Sequence, residues 1–164
     1  MLSPGYTGGS VDVYKPSNPI GTLVYGYDIN SMYPYVMEKF DFPTGTPIMF
    51  EGNRDIINEN LFGFIKVRVT CPIDLKTPLL QARINNKTVA GVGTWTGTYF
   101  TEEIKAALSL GYTFEVISGV TFERKRIFKD FVQKLYTLRT KHIKGTPINL
   151  ATSAMWLCRP EDGV

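Results

Sequence analysis

The sequence predicts an α+β fold, in which helices pack on a β-sheet, and two patterns carry this prediction. Residues 62–70 alternate between apolar and polar side chains, as in a strand with one buried face. Residues 126–144 instead repeat apolar side chains at spacings of four and three, which indicates an amphipathic helix of about five turns. A chain of 164 residues is long enough to bury a core between such elements.

The first predicted strand is the hydrophobic run over residues 22–27. It is rich in β-branched and aromatic residues without polar alternation, so we expect it to be buried on both faces. Asp28 leaves the end of this strand, and Pro34 suits the first turn of a short helix over 34–40. The turn between them would direct free amide N–H groups toward an anion beside Asp28. The alternative is a structural role, in which Asp28 caps that helix or closes an Asx-turn.

The middle of the chain predicts further strands between polar connections. Turn residues over 41–46 and polar residues over 53–60 indicate connections. The predicted strands cover 79–84, then 89–99 as a glycine–aromatic strand pair after a turn at 85–87, and finally 112–120. Trp95 and Tyr99 are expected to pack in the core or across strands, not to stack on bases.

A helix is predicted between the last two of these strands. Thr101 is its expected N-cap, Glu102 and Glu103 occupy the first turn, and Gly111 ends it. We expect the resulting β–α–β arrangement to support the sheet that carries Asp28.

The net charge of +3 is unevenly distributed. Residues 123–144 contain eight basic and two acidic residues, a balance of +6, whereas the remainder has 10 basic and 13 acidic residues, a balance of −3. This concentration is typical of a polyanion site, although a solvated helix face explains a single charge run as well. Lys134, Arg139 and Lys141 are expected to face water or phosphate, away from an apolar stripe of Ile127, Phe131, Leu135 and Leu138. His142 is assigned no catalytic role.

The remaining composition excludes several classes of protein. Cys71 and Cys158 lack metal-site spacing and are expected to be reduced thiols, with Cys71 ending a strand. A basic start followed by an apolar stretch is missing, as is any apolar run of 18 residues. We therefore expect no membrane span and a soluble protein of the cell or organelle interior.

The heptapeptide 28–34, Asp-Ile-Asn-Ser-Met-Tyr-Pro, resembles motif A of family B DNA polymerases. Its amino-acid sequence is similar to that of motif A in the protein-primed enzymes of phages and mitochondrial linear plasmids. Tyr6, Gly8 and Gly9 match their Tyr-x-Gly-Gly motif, although a Gly-Gly pair alone is only a turn. Residues 98–112 are similar to the palm region of the plasmid-type enzymes, and residues 135–141 to the first fingers helix. The resemblance covers residues 6–150.

This resemblance implies a palm-like sheet over 1–125, a partial fingers helix over 126–150 and a divergent tail over 151–164. It also implies a site that binds DNA primer–template and a deoxynucleoside triphosphate with Mg²⁺. Asp28 would be the catalytic carboxylate and, with the carbonyl of Ile29, a metal ligand. The nucleotide would be bound by Ser31, Met32, Tyr33, Arg139 and Lys141, and DNA by Tyr6, Gly8 and Gly9. The ring of Tyr33 would exclude a 2′-hydroxyl.

Two departures from the family pattern limit what the chain is expected to do. Residues 151–160 replace a second fingers helix, and the sequence contains no Asp-x-Asp for motif C. One hypothesis is a part of a protein-primed polymerase that is inactive alone and has a possible terminal-protein partner. The other is a catalytically silent remnant that binds nucleic acid or serves as a structural subunit of a larger assembly. The amino-acid sequence of the motif A heptapeptide favours a mitochondrial plasmid origin and hence a mitochondrial location.

Overall fold

The computed structural model describes residue 13 and residues 15–84, 87–142 and 144–147. The described elements are α1 (Met32–Lys39), β1 (Phe42–Glu51), β2 (Gly63–Cys71), β3 (Gln81–Ile84), β4 (Lys87–Ala90), β5 (Gly93–Phe100), α2 (Thr101–Leu108), β6 (Thr113–Lys125) and α3 (Lys129–Lys141). The predicted α+β class is confirmed. The predictions for Tyr6, Gly8, Gly9, Cys158, the tail and the turn at 85–86 lie outside the described residues.

The chain divides into two compact units. The first comprises Met1–Pro16 and Pro43–Glu123, and the second comprises Ser17–Phe42 and Arg124–Val164. The second segment of the second unit starts at Arg124, close to the predicted boundary at 125. The same unit also includes residues 28–34, the heptapeptide that resembles motif A. The assignment of palm and fingers regions stays a prediction.

A four-stranded sheet in the order β1-β6-β2-β5 forms the centre of the first unit. β2 is antiparallel to both of its neighbours, with Val67 opposite Gly97 of β5 and Val116 of β6. The strands β5 and β6 are therefore parallel to each other, and α2 connects them across β2. This confirms the predicted β–α–β arrangement. β3 and β4 form a separate two-stranded sheet.

The core lies on one face of β2. Ile65, Val67 and Val69 are each 0% exposed, whereas the residues between them are exposed, as the alternation predicts. Ile104 of α2 is also fully buried and belongs to the same cluster. Cys71 ends β2 as a buried free thiol, in agreement with the prediction.

Helix α2 begins differently from the prediction. Phe100 is the N-cap, and its backbone N–H donates to the Glu103 carboxylate at 3.1 Å. Thr101 is fully buried inside the first turn, where its hydroxyl accepts a hydrogen bond from the Gly63 N–H at 3.2 Å. The N-cap prediction is wrong because this hydroxyl bonds to β2 and not to its own helix. The helix ends before Gly111, which has a φ of 87°.

Two predictions about connections in the first unit are wrong. Residues 41–46 were expected to be a turn-rich connection, but most of them belong to β1, an edge strand of the sheet. An edge strand tolerates Pro43 and Pro47 because a missing N–H is harmless on the side that faces solvent. Residues 89–99 do not form a strand pair, since β4 pairs with β3 and β5 pairs with β2.

The predicted strand over 22–27 is also wrong. These residues form no strand, and Leu23 and Val24 are 75% and 76% exposed. A strand buried on both faces needs a neighbour on each side, and none of the described strands pairs with this run. Asp28 is therefore not carried by the sheet. The helix predicted after it is confirmed as α1.

Helix α3 is shorter than the predicted 126–144, and its buried face is rotated from the expected one. Val132 is 3% exposed, whereas Ile127, Phe131 and Leu138 of the predicted apolar stripe are half or nearly half exposed. Phe128 explains the rotation, because its ring packs edge-to-face on Phe42 at a centroid distance of 4.8 Å. This contact turns Val132, one helical turn further on, toward the interior of the unit.

Candidate nucleotide site

The turn between Asp28 and α1 is built on Ser31. Its φ of 52° and ψ of 43° are left-handed, a conformation that costs a non-glycine residue about 1–3 kcal/mol and that clusters at ligand sites. The Ser31 carbonyl accepts the first helical hydrogen bond, from Tyr35 N–H at 3.0 Å. Pro34 is buried in this first turn. The chain therefore enters α1 through a strained turn.

The Ser31 turn leaves amide donors without helical partners. The N–H groups of Met32 and Tyr33 belong to the first turn of α1, where no intrahelical carbonyl can accept from them. The Ser31 side chain makes no capping hydrogen bond to this turn. The Tyr33 ring is 65% exposed. The start of α1 thus offers backbone donors and an accessible aromatic ring, as the sequence predicts.

Asp28 is exposed, and among the described residues it makes no hydrogen bond or ion pair. Ser31 and not Asp28 occupies the N-cap position of α1, so the structural alternative of a capping Asp28 is wrong. The Ile29 side chain is 67% exposed. The carboxylate of Asp28 is therefore available to an external cation.

The basic residues of α3 lie on different faces of the helix. Lys141 and Lys134 are exposed and seven residues apart, so they share one face. Arg139 is half-buried, and it leaves the helix about 200° away from Lys141 at 3.6 residues per turn. Arg139 and Lys141 therefore do not share one face of α3. Lys134 lines an open groove along α3, together with Asp130, Gln133, Thr137 and Leu138.

Contacts between α1 and α3 were missed at the sequence level. The Glu38 carboxylate accepts hydrogen bonds from Lys39 Nζ at 3.0 Å and from Gln133 Nε2 at 3.2 Å. These two bonds, that from Lys39 foremost, hold the pKa of Glu38 below its ordinary value. Arg126 adds an ion pair with Asp41 at 3.5 Å. No local signal identifies the Glu38–Gln133 and Asp41–Arg126 pairs, because their members are far apart in sequence.

All described members of the predicted nucleotide site lie in the second unit. This unit contains Asp28, Ser31, Met32 and Tyr33 together with Arg139 and Lys141. Over 17–42 and 124–147 it has nine basic and four acidic residues. Within the described ranges, no three His, Cys, Asp or Glu side chains are grouped closely enough to hold a metal ion. None of the helices there is long and apolar enough to span a bilayer.

Residues 3–150 match the family of type B DNA polymerases, organellar and viral. The chain belongs to this family. It is 41% identical over 152 residues to a probable DNA polymerase of Ascobolus immersus, covering 90% of this chain and 12% of that protein. It is 37% identical over 158 residues to a probable DNA polymerase of Neurospora intermedia, covering 90% and 16%. The chain thus spans less than a fifth of the length of these two relatives.

Similarity extends to phage polymerases and to their fold. The DNA polymerase of Bacillus phage Nf is 29% identical over 167 residues, with 92% of this chain and 28% of that protein covered. Phi29 DNA polymerase complexed with primer-template DNA superimposes with a TM-score of 0.60 at 24% identity, covering 79% of this chain and 23% of that one. At this identity the superposition shows a shared fold.

Proposed function

We propose that this chain forms part of the nucleotide-binding region of a DNA polymerase, with Asp28 as a metal ligand. The observation that carries the proposal is the Asp28 carboxylate, which is exposed and unpaired among the described residues and directly precedes the left-handed Ser31 turn. A capping or salt-bridging carboxylate would have a partner in the chain. An accessible carboxylate beside free amide donors suits a metal-bound polyphosphate.

The phosphate cradle would consist of the amides of Ser31, Met32 and Tyr33. Basic residues of α3 complete it if the two helices run antiparallel, and two contacts support that arrangement. The Glu38–Gln133 and Phe42–Phe128 contacts both join the end of α1 to the start of α3. In an antiparallel pair, moving from Glu38 back to Met32 corresponds to moving from Gln133 forward to Arg139. We assign phosphate contacts to Arg139 and to Lys141, each from its own face of α3.

The donor set fits Mg²⁺ as one contribution to a shared site. Mg²⁺ retains several waters and is commonly held by one or two carboxylates plus substrate phosphates. Asp28 and the Ile29 carbonyl would supply two oxygens, and the nucleotide would supply others. Asp28 and Ile29 would hold the metal there, and the chemistry it would supply is neutralisation of triphosphate charge. With a single carboxylate, we expect no polymerisation by this chain alone.

The other residues of the proposed site have separate roles. The Tyr33 ring, exposed next to the cradle, would pack against the sugar and exclude a 2′-hydroxyl. Tyr6, Gly8 and Gly9 would contact template DNA through close backbone approach. In this assignment residues 1–125 are palm-like, 126–150 form part of the fingers and 151–164 are a divergent tail.

The biological setting is proposed from the relatives. The family is organellar and viral, and the relatives described above include fungal and phage polymerases. We propose from this setting a protein-primed enzyme of a mitochondrial linear plasmid, located in mitochondria, with DNA and a terminal protein as partners.

A second candidate is a catalytically silent subunit that binds nucleic acid within a larger assembly. The excess of basic residues in the second unit favours it, because cationic surfaces bind phosphate backbones without sequence specificity. Such binding would fall steeply with salt and would not depend on Asp28.

Nucleotide binding separates the two candidates. A deoxynucleoside triphosphate is titrated into the chain with and without Mg²⁺, while amide NMR signals of residues 31–33 are followed. The first candidate requires Mg²⁺ to tighten binding and Asp28→Asn to abolish that effect. Asp74→Asn, which alters an exposed acid of the first unit, serves as the matched control. Salt-sensitive DNA binding that survives Asp28→Asn, without Mg²⁺-dependent nucleotide binding, would support the second candidate instead.

Primer extension provides the companion measurement. We expect no incorporation of labelled deoxynucleotides by the chain alone. Incorporation that Asp28→Ala abolishes would establish activity in the chain itself.

A further inference from the structure

We propose that Gln133 and Glu38 are positioning residues, whose hydrogen bond sets how far Arg139 lies from the amides of the phosphate cradle. This inference rests on the proposed function, because the site that the two residues adjust is the nucleotide site described above. Gln133 Nε2 of α3 donates to the Glu38 carboxylate of α1 at 3.2 Å, and the two helices pack against each other. Neither residue belongs to the proposed set of nucleotide contacts. Their role is to fix one helix against the other.

Arg139 lies on the side of α3 that faces the α1 segment. The residues of this side are buried or half-buried and follow one another at spacings of four, three and four: Phe128, Val132, Leu135 and Arg139. Such spacings place side chains on one face of a helix. Phe128, the first of them, packs on the ring of Phe42, which follows α1 in the chain. Arg139 therefore leaves α3 on the same side as that contact.

The hydrogen bond and the proposed site lie at matched distances along the two helices. Arg139 comes six residues after Gln133, and Met32 comes six residues before Glu38. At 1.5 Å per residue, each separation is about 9 Å. The end of α1 meets the start of α3, so the helices run in opposite directions and both separations lead to the same end of the pair. This register places Arg139 beside the first turn of α1, where the amides of the cradle lie.

A hydrogen bond fixes this register more strictly than apolar packing does. Burial of apolar surface is non-directional, so it sets the position of a helix along its neighbour only loosely. A hydrogen bond, in contrast, is lost once its atoms separate beyond about 3.5 Å. The Glu38 carboxylate also accepts from Lys39 Nζ at 3.0 Å, which anchors the acceptor to α1. A slip by one helical turn, about 5.4 Å, would break the bond and move Arg139 by the same distance relative to the cradle.

The test is the affinity of the 164-residue chain for dATP in the presence of Mg²⁺, measured by isothermal titration calorimetry. Gln133→Ala removes the donor and should raise the dissociation constant by about fivefold, as expected when one contact to phosphate is partly lost. Leu138→Ala is the matched control, since it shortens an exposed side chain on the same helix, about 140° around the axis from Gln133. The control should leave the dissociation constant unchanged.

A double-mutant cycle shows whether Gln133 acts through Arg139. In a chain that carries Arg139→Met, adding Gln133→Ala should weaken dATP binding no further, because the group that Gln133 positions is already absent. A purely structural role would weaken binding by the same factor in both backgrounds, and this result would overturn the proposal. Circular dichroism at the temperature of the titration checks that each variant is folded.

Exchange of the two residues provides a rescue. Gln133→Glu alone places two carboxylates together and should weaken dATP binding at least as much as Gln133→Ala does. Adding Glu38→Gln restores a donor and a charged acceptor in reversed order, so the double variant should regain the wild-type affinity within about twofold. An exchange that restores no binding would overturn the proposal.

The outcomes separate this inference from the proposed function. A wild-type chain that shows no Mg²⁺-dependent binding of dATP would overturn both. Binding that Asp28→Asn weakens, but that Gln133→Ala leaves unchanged, would overturn the positioning role alone and would leave the proposed nucleotide site standing.

Discussion

Gln133 of α3 donates a hydrogen bond of 3.2 Å to the carboxylate of Glu38 at the end of α1, across 95 residues of sequence. The same carboxylate oxygen accepts from Lys39. A hydrogen bond to a charged acceptor is stronger than one to a neutral acceptor. The Glu38 carboxylate thereby joins α1, the helix of the proposed phosphate cradle, to the basic helix α3.

The Glu38 contact predicts a specific titration behaviour. Gln133→Ala should raise the pKa of Glu38 toward its ordinary value. Lys39→Ala should raise that pKa by more than Gln133→Ala does, because the Lys39 hydrogen bond is the larger cause of the shift. A carboxylate whose pKa is lower in the folded state stabilises that state above its ordinary pKa. This contribution disappears as pH falls through the lowered value. Carboxyl-carbon NMR of Glu38 measures the change, and an unaltered pKa in Gln133→Ala would contradict the contact.

Gly63→Ala should be strongly destabilising. A Cβ at Gly63 would clash with the Val120 carbonyl oxygen of the neighbouring strand, and the backbone cannot move aside there without breaking the β2–β6 pairing. Overpacking of this kind costs about 1–3 kcal/mol or more. Gly91→Ala is the control, since nothing lies within 4 Å of its added Cβ. Urea unfolding followed by circular dichroism compares the two, and equal midpoints would refute the expected clash.

Val132→Ala should cost more stability than Leu138→Ala, although leucine loses more atoms. Val132 is 3% exposed and Leu138 is 44% exposed. Truncation of the buried valine should lower the free energy of unfolding by about 2 kcal/mol, whereas the exposed leucine should change it by about 0.5 kcal/mol or less. Thermal unfolding of both variants tests which face of α3 is buried. A larger loss of stability in Leu138→Ala than in Val132→Ala would show that the apolar stripe predicted from the sequence is the buried face of α3.

Ser31→Gly should stabilise the chain. Glycine adopts the left-handed conformation of residue 31 without steric cost, so the variant should gain about 1 kcal/mol. Ser31→Ala should lack this gain, because alanine retains the strain. It should not show the loss typical of a removed cap either, because the Ser31 hydroxyl makes no capping bond. Denaturant titration of the wild type and the two variants measures these changes in the free energy of unfolding. A loss of about 1 kcal/mol in Ser31→Ala would show that the Ser31 side chain does cap α1.

Tyr99→Phe removes one hydroxyl that joins β5 to β3. That hydroxyl accepts from Trp95 and donates to the Gln81 carbonyl, so its loss removes one hydrogen bond from each of two half-buried partners. We expect a loss of about 1–3 kcal/mol and a changed fluorescence spectrum of Trp95. Tyr136→Phe, at a residue 55% exposed, should alter neither. An unchanged spectrum in Tyr99→Phe would argue against the Trp95 contact.

Elements specified by local pattern were predictable from the sequence. The alternation of β2 identified Ile65, Val67 and Val69 as core, because a period of two is set by the strand itself. The end of α2 at Gly111 followed from glycine's tolerance of positive φ. The start of α1 was similarly local, since Pro34 suits a first turn.

Features that depend on distant neighbours were not predictable. Prolines indicated a connection over 41–46, and only the position of β1 at a sheet edge makes them compatible with a strand. The rotation of α3 depends on the contact of Phe128 with Phe42. The run over 22–27 has strand composition, but composition does not supply the neighbouring strands that burial on both faces requires. In the site, the free carboxylate of Asp28 was expected, whereas the contact of Glu38 with Gln133 was not, because it joins residues far apart in sequence.

The strand order also constrains the sequence of events during folding. β1 is held in the sheet only through β6, so residues 42–51 cannot dock until residues 113–125 have been synthesised. Closing so long an intervening loop slows the search for native pairing. β2, β5 and α2 can meanwhile assemble a buried nucleus. While β1 is still undocked on the ribosome, its exposed residues Ile48 and Met49 would be accessible to a chaperone.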